Sequence, residues 1–157
     1  MRAMSIADCH ATPRFRAMLL DDVDNVMIIE RSASSVPWTP EVFRACIRVG
    51  YHCAVLEVEH EVVGYTVVAV DAGAAHILNL CIAPTHHGRG LGRAALDYVV
   101  AVARAREVER ILLEVRPTNG IAQRLYRSAG FTHRGSRKNY YQTESGYEDA
   151  IVLALEL

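Results

Sequence analysis

Three glycines at alternate positions, in the run Gly88-Arg89-Gly90-Leu91-Gly92, divide an apolar strand-like segment (Ile77–Ile82) from a long amphipathic helix. That helix carries Leu91, Ala95, Tyr98 and Val102 on one face, the pattern of an α-helix packed on a core. Glycine enters backbone conformations closed to other residues and lets main chain approach a ligand closely. The first turn of a helix leaves N–H groups without intrahelical partners, and these favour an anion. The chain must therefore fold as strand, loop and helix around an anion site, and the ligand is expected to carry phosphates. Arg89 and Arg93 are placed to add charge-assisted contacts.

Two familiar phosphate loops are tested first. The sequence GxxxxGK[ST] is absent. Gly90-Leu91-Gly92-Arg93-Ala94-Ala95 does match the dinucleotide pattern G-x-G-x-x-A, and Glu114 lies near the distance of its ribose-binding acid. That fingerprint sits in a tight turn directly after its strand, whereas Ala83–Arg89 intervene here. The chain also opens with helices and a hairpin rather than with a βαβ unit, so the dinucleotide reading is disfavoured.

The segments around the loop set the fold class. Arg14–Leu20 reads as a first strand. Asp21 or Asp22 can cap a helix with Val23, Val26 and Met27 on one face, and Pro37 stops it. Thr39-Pro40-Glu41 opens a second helix that turns Phe43, Cys46 and Ile47 inward. Tyr51–Glu57 and Val62–Val70 flank the charged turn Glu59-His60-Glu61 and read as a hairpin. Asp71-Ala72-Gly73 turns into Ala75–Ile82. Beyond the glycine helix come a strand (Ile111–Arg116) and a short helix opened by Asn119 and stopped by Gly130. Two last strands, Phe131–Tyr141 and Glu148–Leu155, turn at Gly146. The order β-α-α-β-β-β-α-β-α-β-β predicts an α/β fold: a mixed, mostly antiparallel sheet of about seven strands flanked by about four helices. Residues 13–157 are expected to form one domain, and residues 1–12 a loose polar leader.

Composition removes several function classes. At 157 residues, with 51% apolar, the chain can bury a real core. A net charge of −1 argues against a general nucleic-acid binder. Cys9, Cys46, Cys53 and Cys81 lack paired metal spacing and, with no signal peptide, do not read as a disulfide framework. The seven histidines form no HExxH, and the adjacent His86 and His87 tend to point apart, so no metal is expected. No run approaches the ~18 apolar residues of a membrane span. The chain reads as soluble and cytoplasmic.

Single residues stand out against this background. Glu114 lies inside the otherwise apolar run Ile111-Leu112-Leu113-Glu114-Val115, and a charge there needs a partner or a purpose. Tyr126 lies seven residues after Asn119, on the same helix face, and reads equally as a core tyrosine. Asn119 itself reads as a helix cap. Trp38, Tyr140 and Tyr141 read as packing aromatics. Glu148 and Asp149 either attract a basic peptide or flank a strand.

Taken together, these motifs carry a family resemblance. His87-Gly88-Arg89-Gly90-Leu91-Gly92 resembles motif A of the GNAT acetyltransferases, Gln/Arg-x-x-Gly-x-Gly/Ala, with His87 in place of Gln or Arg. Leu113–Asn119 is similar to the LEVR-x-x-N element of the family's RimI branch, and Leu125–Phe131 to its LY-x-x-x-GF element. Arg137-Lys138-Asn139-Tyr140-Tyr141 and Glu148-Asp149-Ala150 resemble its RxNYY and EDA, and Pro37-Trp38 fits as well. The resemblance spans roughly residues 13–155.

The resemblance implies the GNAT fold and acetyl-CoA as cosubstrate, with Gly88, Arg89, Gly90, Leu91, Gly92 and Arg93 around its pyrophosphate. It further implies that main chain at Leu80, Cys81 and Ile82 pairs with the pantetheine arm, and that Asn119 adds a hydrogen bond to it. By the same resemblance, Glu114 is the general base and Tyr126 the general acid, and Trp38, Tyr140 and Tyr141 border the substrate groove. The implied acceptor is the α-amine of a protein, the N-terminal alanine of a small-subunit ribosomal protein in that branch. Transfer is expected to be direct, without metal, and Cys81 is not a covalent nucleophile because no activating base lies near it in sequence. A GNAT acting on a small-molecule amine and a non-catalytic acetyl-CoA-binding module remain as alternatives.

Overall fold

The computed structural model describes residues 12–157, so nearly all of the expected leader lies outside the described residues. The elements keep the expected order. They are β1 (Arg14–Ala17), α1 (Val23–Ala33), α2 (Pro40–Arg48), β2 (His52–Val58), β3 (Glu61–Asp71) and β4 (Ala74–Ile82). Then come α3 (Leu91–Ala105), β5 (Arg110–Val115), α4 (Gly120–Ser128), β6 (Thr132–Thr143) and β7 (Gly146–Glu156).

The seven strands form one sheet in the order β1-β2-β3-β4-β5-β7-β6. Among the described residues only β4 and β5 run parallel; every other pair of strands is antiparallel. Helices α3 and α4 cover one face, where Leu96 and Val99 meet Ile77, Ile111, Leu113 and Leu153. Helices α1 and α2 cover part of the other, where Val26 and Phe43 meet Val55, Tyr65 and Val67. Period-two alternation divides β5 cleanly: Ile111, Leu113 and Val115 point to the α3–α4 core, and Leu112 and Glu114 to the opposite face.

The first strand is shorter than expected. It ends at Ala17, and Leu20–Asp22 form a turn of 3-10 helix. The cause is Asp22, whose carboxylate accepts the Leu19 N–H at 2.7 Å and two guanidinium contacts from Arg16 at 2.8 Å. That carboxylate therefore makes no cap bond to α1, contrary to expectation. Thr39 does cap α2 through the Val42 N–H.

One irregularity in the sheet positions the site. Strand β4 pairs with β5 only from Ala74↔Arg110 to Ile77↔Leu113. Opposite Val67 and Val68 of β3 it carries a register shift that leaves Leu78 over. A bulge re-aims and bends the strand that carries it. Beyond it, Leu80, Cys81 and Ile82 keep their partners on β3 but have none on β5. The two parallel strands part, and Glu114 and Val115 stand on the far lip.

Candidate active site

The parted strands open a cleft of about 1590 Å³, roomy for a single small ligand and fit for an extended one. Leu80, Cys81, Ile82 and the loop from Gly88 line one wall. Glu114, Asn119 and Tyr126 line the other, with Tyr140 and Tyr141 above them and Trp38 at the α1–α2 end. Of the catalytic, cofactor and substrate residues expected from the sequence, Arg89 alone lies outside the lining and is exposed. It sits between Gly88 and Gly90, both left-handed at φ 75°.

The glycine loop leaves a run of main-chain donors open. Gly90 is the N-cap of α3, and the first helical bond is Ala94 N–H to Gly90 C=O at 3.1 Å. The N–H groups from Gly88 to Arg93 find no main-chain acceptor among the described residues. A Cβ on Gly88 or Gly90 would meet open space, so the side left bare is the side a ligand would fill. His87 faces backwards: its Nε2–H donates to the Ile82 carbonyl at 2.8 Å and ties the loop to the end of β4. Its place in the motif is thus taken up by a fastening role. Arg93 shares its guanidinium with Asp97 at 3.0 Å, one turn on.

The opposite wall carries the titratable groups. Glu114 has a side chain only 6% exposed. Its Oε2 accepts from His76 Nε2 at 2.5 Å and its Oε1 from Arg137 Nε at 3.1 Å. Burial pushes the carboxyl up, but the hydrogen bonds and charges of His76 and Arg137 outweigh burial and hold it below the usual range. It is therefore ionised at neutral pH. Tyr126 is buried against Phe131 and lines the cleft. Burial, then the neighbouring Cys81, pushes its phenol up to about 12. Burial likewise pushes the Cys81 thiol up to about 11, which leaves it a poor nucleophile. Asn119 caps α4, its Oδ1 accepting the Ala122 N–H at 3.1 Å.

The aromatic pair stands on a distortion of β6. Register is lost between Arg137 and Tyr141, and Asn139 is left-handed at φ 50° with its N–H held by Asp149 at 2.9 Å. Tyr141 lies under the Arg116 guanidinium at 4.3 Å, and burial raises its phenol. Glu148 accepts from Thr118 N–H, Thr118 Oγ1 and Arg116. Both carboxylates, Glu148 and Asp149, are thus engaged by neighbouring loop and strand groups.

Three residues around the cleft received no role from the sequence, Arg137 among them standing only at the head of the RxNYY-like run. His76 and Arg137 are partners of Glu114 that become visible only once the β4, β5, β7, β6 order is known. Glu30 is 6% exposed, lines the cleft, and receives hydrogen bonds from Tyr65, Asn79 and the Trp38 N–H. Its signal was present: Glu30 falls on the apolar stripe of Val23, Val26 and Met27.

The family model described as "Acetyltransferase (GNAT) family" matches residues 23–131. The chain belongs to the GNAT family. Members of this family are acetyl-CoA-dependent acyltransferases, and the protein is an enzyme of that class, a GNAT N-acetyltransferase of RimI-like type. A protein of Bacillus subtilis (strain 168) is 36% identical over 140 residues, 88% of this chain and 91% of its own length. The ribosomal protein bS18-alanine N-acetyltransferase of Salmonella typhimurium (strain LT2) is 33% identical over 129 residues, covering 82% and 87%. The crystal structure of the ribosomal-protein-S18-alanine N-acetyltransferase from Escherichia coli superposes with a TM-score of 0.86 at 30% identity, covering 92% of this chain and 94% of that one. The seven-stranded sheet and its four covering helices are those of the GNAT fold. Among the described residues, no group of three or more His, Cys, Asp or Glu could hold a metal ion. Nor is any helix among them long and apolar enough to cross a membrane.

Proposed function

We propose that this GNAT enzyme moves acetyl from acetyl-CoA to the α-amine of a protein, with Glu114 as general base and Tyr126 as general acid. The acceptor we infer is the N-terminal alanine of a small-subunit ribosomal protein, met in the cytoplasm. One observation carries the chemical part: a buried, ionised carboxylate on the lip where β4 and β5 part, across from a loop of free N–H groups. The names of the relatives support the acceptor.

Acetyl-CoA supplies a thioester open to attack by a neutral amine. Free N–H groups from Gly88 to Arg93 would hold its pyrophosphate. Main chain of Leu80, Cys81 and Ile82, unpaired on the β5 side, would take the pantetheine amides as a sheet edge takes a strand. Asn119 spends its Oδ1 on the helix cap and keeps its Nδ2 for the same arm.

An α-amine titrates at about 7.7–8.0, against about 10.4 for lysine, so a carboxylate base serves a terminal amine with far less work. Glu114 accepts the proton at a lone pair that His76 and Arg137 leave open, directly or through water. Tyr126 keeps its proton through the physiological range, since burial raises it to about 12. Cys81 gauges the cost of a thiolate in this cleft: burial has raised that thiol to about 11. A departing thiolate in the same surroundings needs a donor, and the Tyr126 hydroxyl is one whose own proton affinity is close to matched. Trp38, Tyr140 and Tyr141 would border the incoming chain.

The experiment is acetyl transfer to peptides that vary in the first residue, each paired with a version whose terminus is blocked. We expect activity on the free alanine terminus and none on blocked peptides that contain lysine. Equal rates on blocked peptides would end the α-amine assignment, and activity confined to small amines would end the protein assignment.

A further inference from the structure

The two partners of Glu114 reach it from neighbouring strands, half-exposed Arg137 from β6 and partly exposed His76 from β4. Neither Arg137 nor His76 lines the cleft, yet each occupies one carboxylate oxygen. A carboxylate offers about four lone-pair sites, so two remain for a substrate on the cleft side. The charges around this point fall into pairs. Arg116, just past the end of β5, is matched by Glu148 of β7 at 3.2 Å. Arg137 of β6 is matched by Glu114 of β5 at 3.1 Å. His76 and Cys81 of β4, Tyr140 and Tyr141 of β6 and Tyr126 of α4 also face this site, and Glu30 of α1 is tied to Tyr65 and Asn79. Arg137 must cross β7 to reach Glu114. The residue opposite it in register is Ala150, whose small side chain lets the guanidinium pass.

This arrangement answers a difficulty in the chemistry. A bare buried carboxylate attracts an ammonium ion and keeps it protonated, whereas the reaction needs the amine neutral. We propose that Arg137 is a positioning residue that cancels the charge of Glu114, so that the terminal amine is held at the base as a neutral nucleophile and not as a trapped ammonium. Guanidinium suits the task because it stays charged at every working pH and holds its partner through a directed N–H. The proposal rests on Glu114 being the base. The proton balance is simple: the amine proton passes to Glu114 and then to solvent, and Arg137 neither gains nor loses one.

The test measures kcat and KM for a free-terminus peptide from pH 6 to 10 in wild type, Arg137→Gln, Arg137→Lys and Glu114→Gln. Peptide affinity is measured alongside by calorimetry with CoA present. In Arg137→Gln the peptide should bind several-fold more tightly at pH 7 while kcat falls about tenfold, and the rising limb of kcat should move about one pH unit to the alkaline side. Arg137→Lys should return the limb toward its wild-type position, because the charge is restored. A uniform fall in kcat with the limb unmoved, or weaker peptide binding, would mean a merely structural role and would overturn the proposal. Acetyl-CoA affinity should be unchanged in all three variants, and a lost affinity in Arg137→Gln counts against the proposal too. If Glu114→Gln keeps the wild-type rate, the base assignment itself falls and this proposal with it. If Glu114→Gln is inactive while Arg137→Gln shows no limb shift, only the role of Arg137 falls.

Discussion

The two walls of the cleft are made of different material. The wall formed by β4 and the glycine loop works through main chain: free N–H groups, an unpaired strand edge and left-handed glycines. The wall formed by β5, β6 and α4 presents side chains: Glu114, Tyr126 and Tyr141, with Arg137 reaching Glu114 from outside the cleft. On the function proposed above, the main-chain wall would recognise what every acyl-CoA shares, its phosphates and amides. The side-chain wall would set proton affinities and shapes, and so decide which amine reacts. If this division is right, damage to one wall should appear in cosubstrate affinity and damage to the other in turnover.

The largest effect is expected on the side-chain wall. Glu114→Gln should lower kcat by about 10²–10⁴-fold, the usual range for general base catalysis, with acetyl-CoA affinity intact. A companion loss of stability should depend on pH. The folded carboxyl titrates below its ordinary value of 4.5 because His76 and Arg137 outweigh burial. Its contribution is therefore full above about pH 4.5 and is lost as pH falls through the lower folded value. Melting temperatures of variant and wild type should differ at pH 7 and converge in acid. A large change in acetyl-CoA affinity would break the division of labour.

Tyr126→Phe comes next, with kcat reduced by about 10²-fold, the low end of the range for general acid catalysis, and acetyl-CoA affinity nearly unchanged. Since burial holds the phenol near 12, wild type should show no alkaline decline from Tyr126 below about pH 11. A limb near pH 9 that disappears in Tyr126→Phe would show the hydroxyl working ionised, against the acid assignment.

The same division explains what could be read in the sequence. Main-chain devices leave local traces, because glycine spacing and a following amphipathic helix sit together in the chain. The loop, α3 and the element order were legible for that reason. Side-chain devices are assembled from distant segments. Glu114 was conspicuous as a charge in an apolar strand, but His76 lies 38 residues away and Arg137 23, joined to it only by the sheet order. The bulge at Leu78 left no trace either, since no proline or glycine marks it. Asp22 shows a further limit: an aspartate before a helix reads as its cap, yet Arg16 and the Leu19 N–H had the stronger hold.

On the main-chain wall, Gly90→Val tests whether affinity and turnover separate. Gly90 is left-handed at φ 75°, and a side chain there costs about 1–2 kcal/mol, more for a β-branched one. Beyond its chain neighbours a Cβ would meet no protein atom within 4 Å, so the cost lies in the loop's own backbone and not in crowding against other parts of the protein. We expect acetyl-CoA affinity to fall about tenfold or more, with kcat at saturation within about twofold of wild type. Binding by calorimetry and turnover at high acetyl-CoA check the two halves separately.

The smallest effect belongs to the one side chain that serves the main-chain wall. His87 donates to the Ile82 carbonyl at 2.8 Å and so joins the loop to the strand edge, the two parts that would hold the two ends of the cosubstrate. A neutral hydrogen bond contributes about 0.5–1.5 kcal/mol, so His87→Ala should weaken acetyl-CoA by only a few-fold and leave kcat unchanged. Its carbonyl partner can only accept, so the Nε2 tautomer must carry the proton, and a glutamine amide could take its place. His87→Gln should therefore recover affinity that His87→Ala loses. If neither variant differs from wild type, the loop holds its shape through glycine geometry alone. A fall in kcat from His87→Ala at saturating acetyl-CoA would instead mean that the two walls are coupled, and that a main-chain fastening reaches the chemistry on the other side.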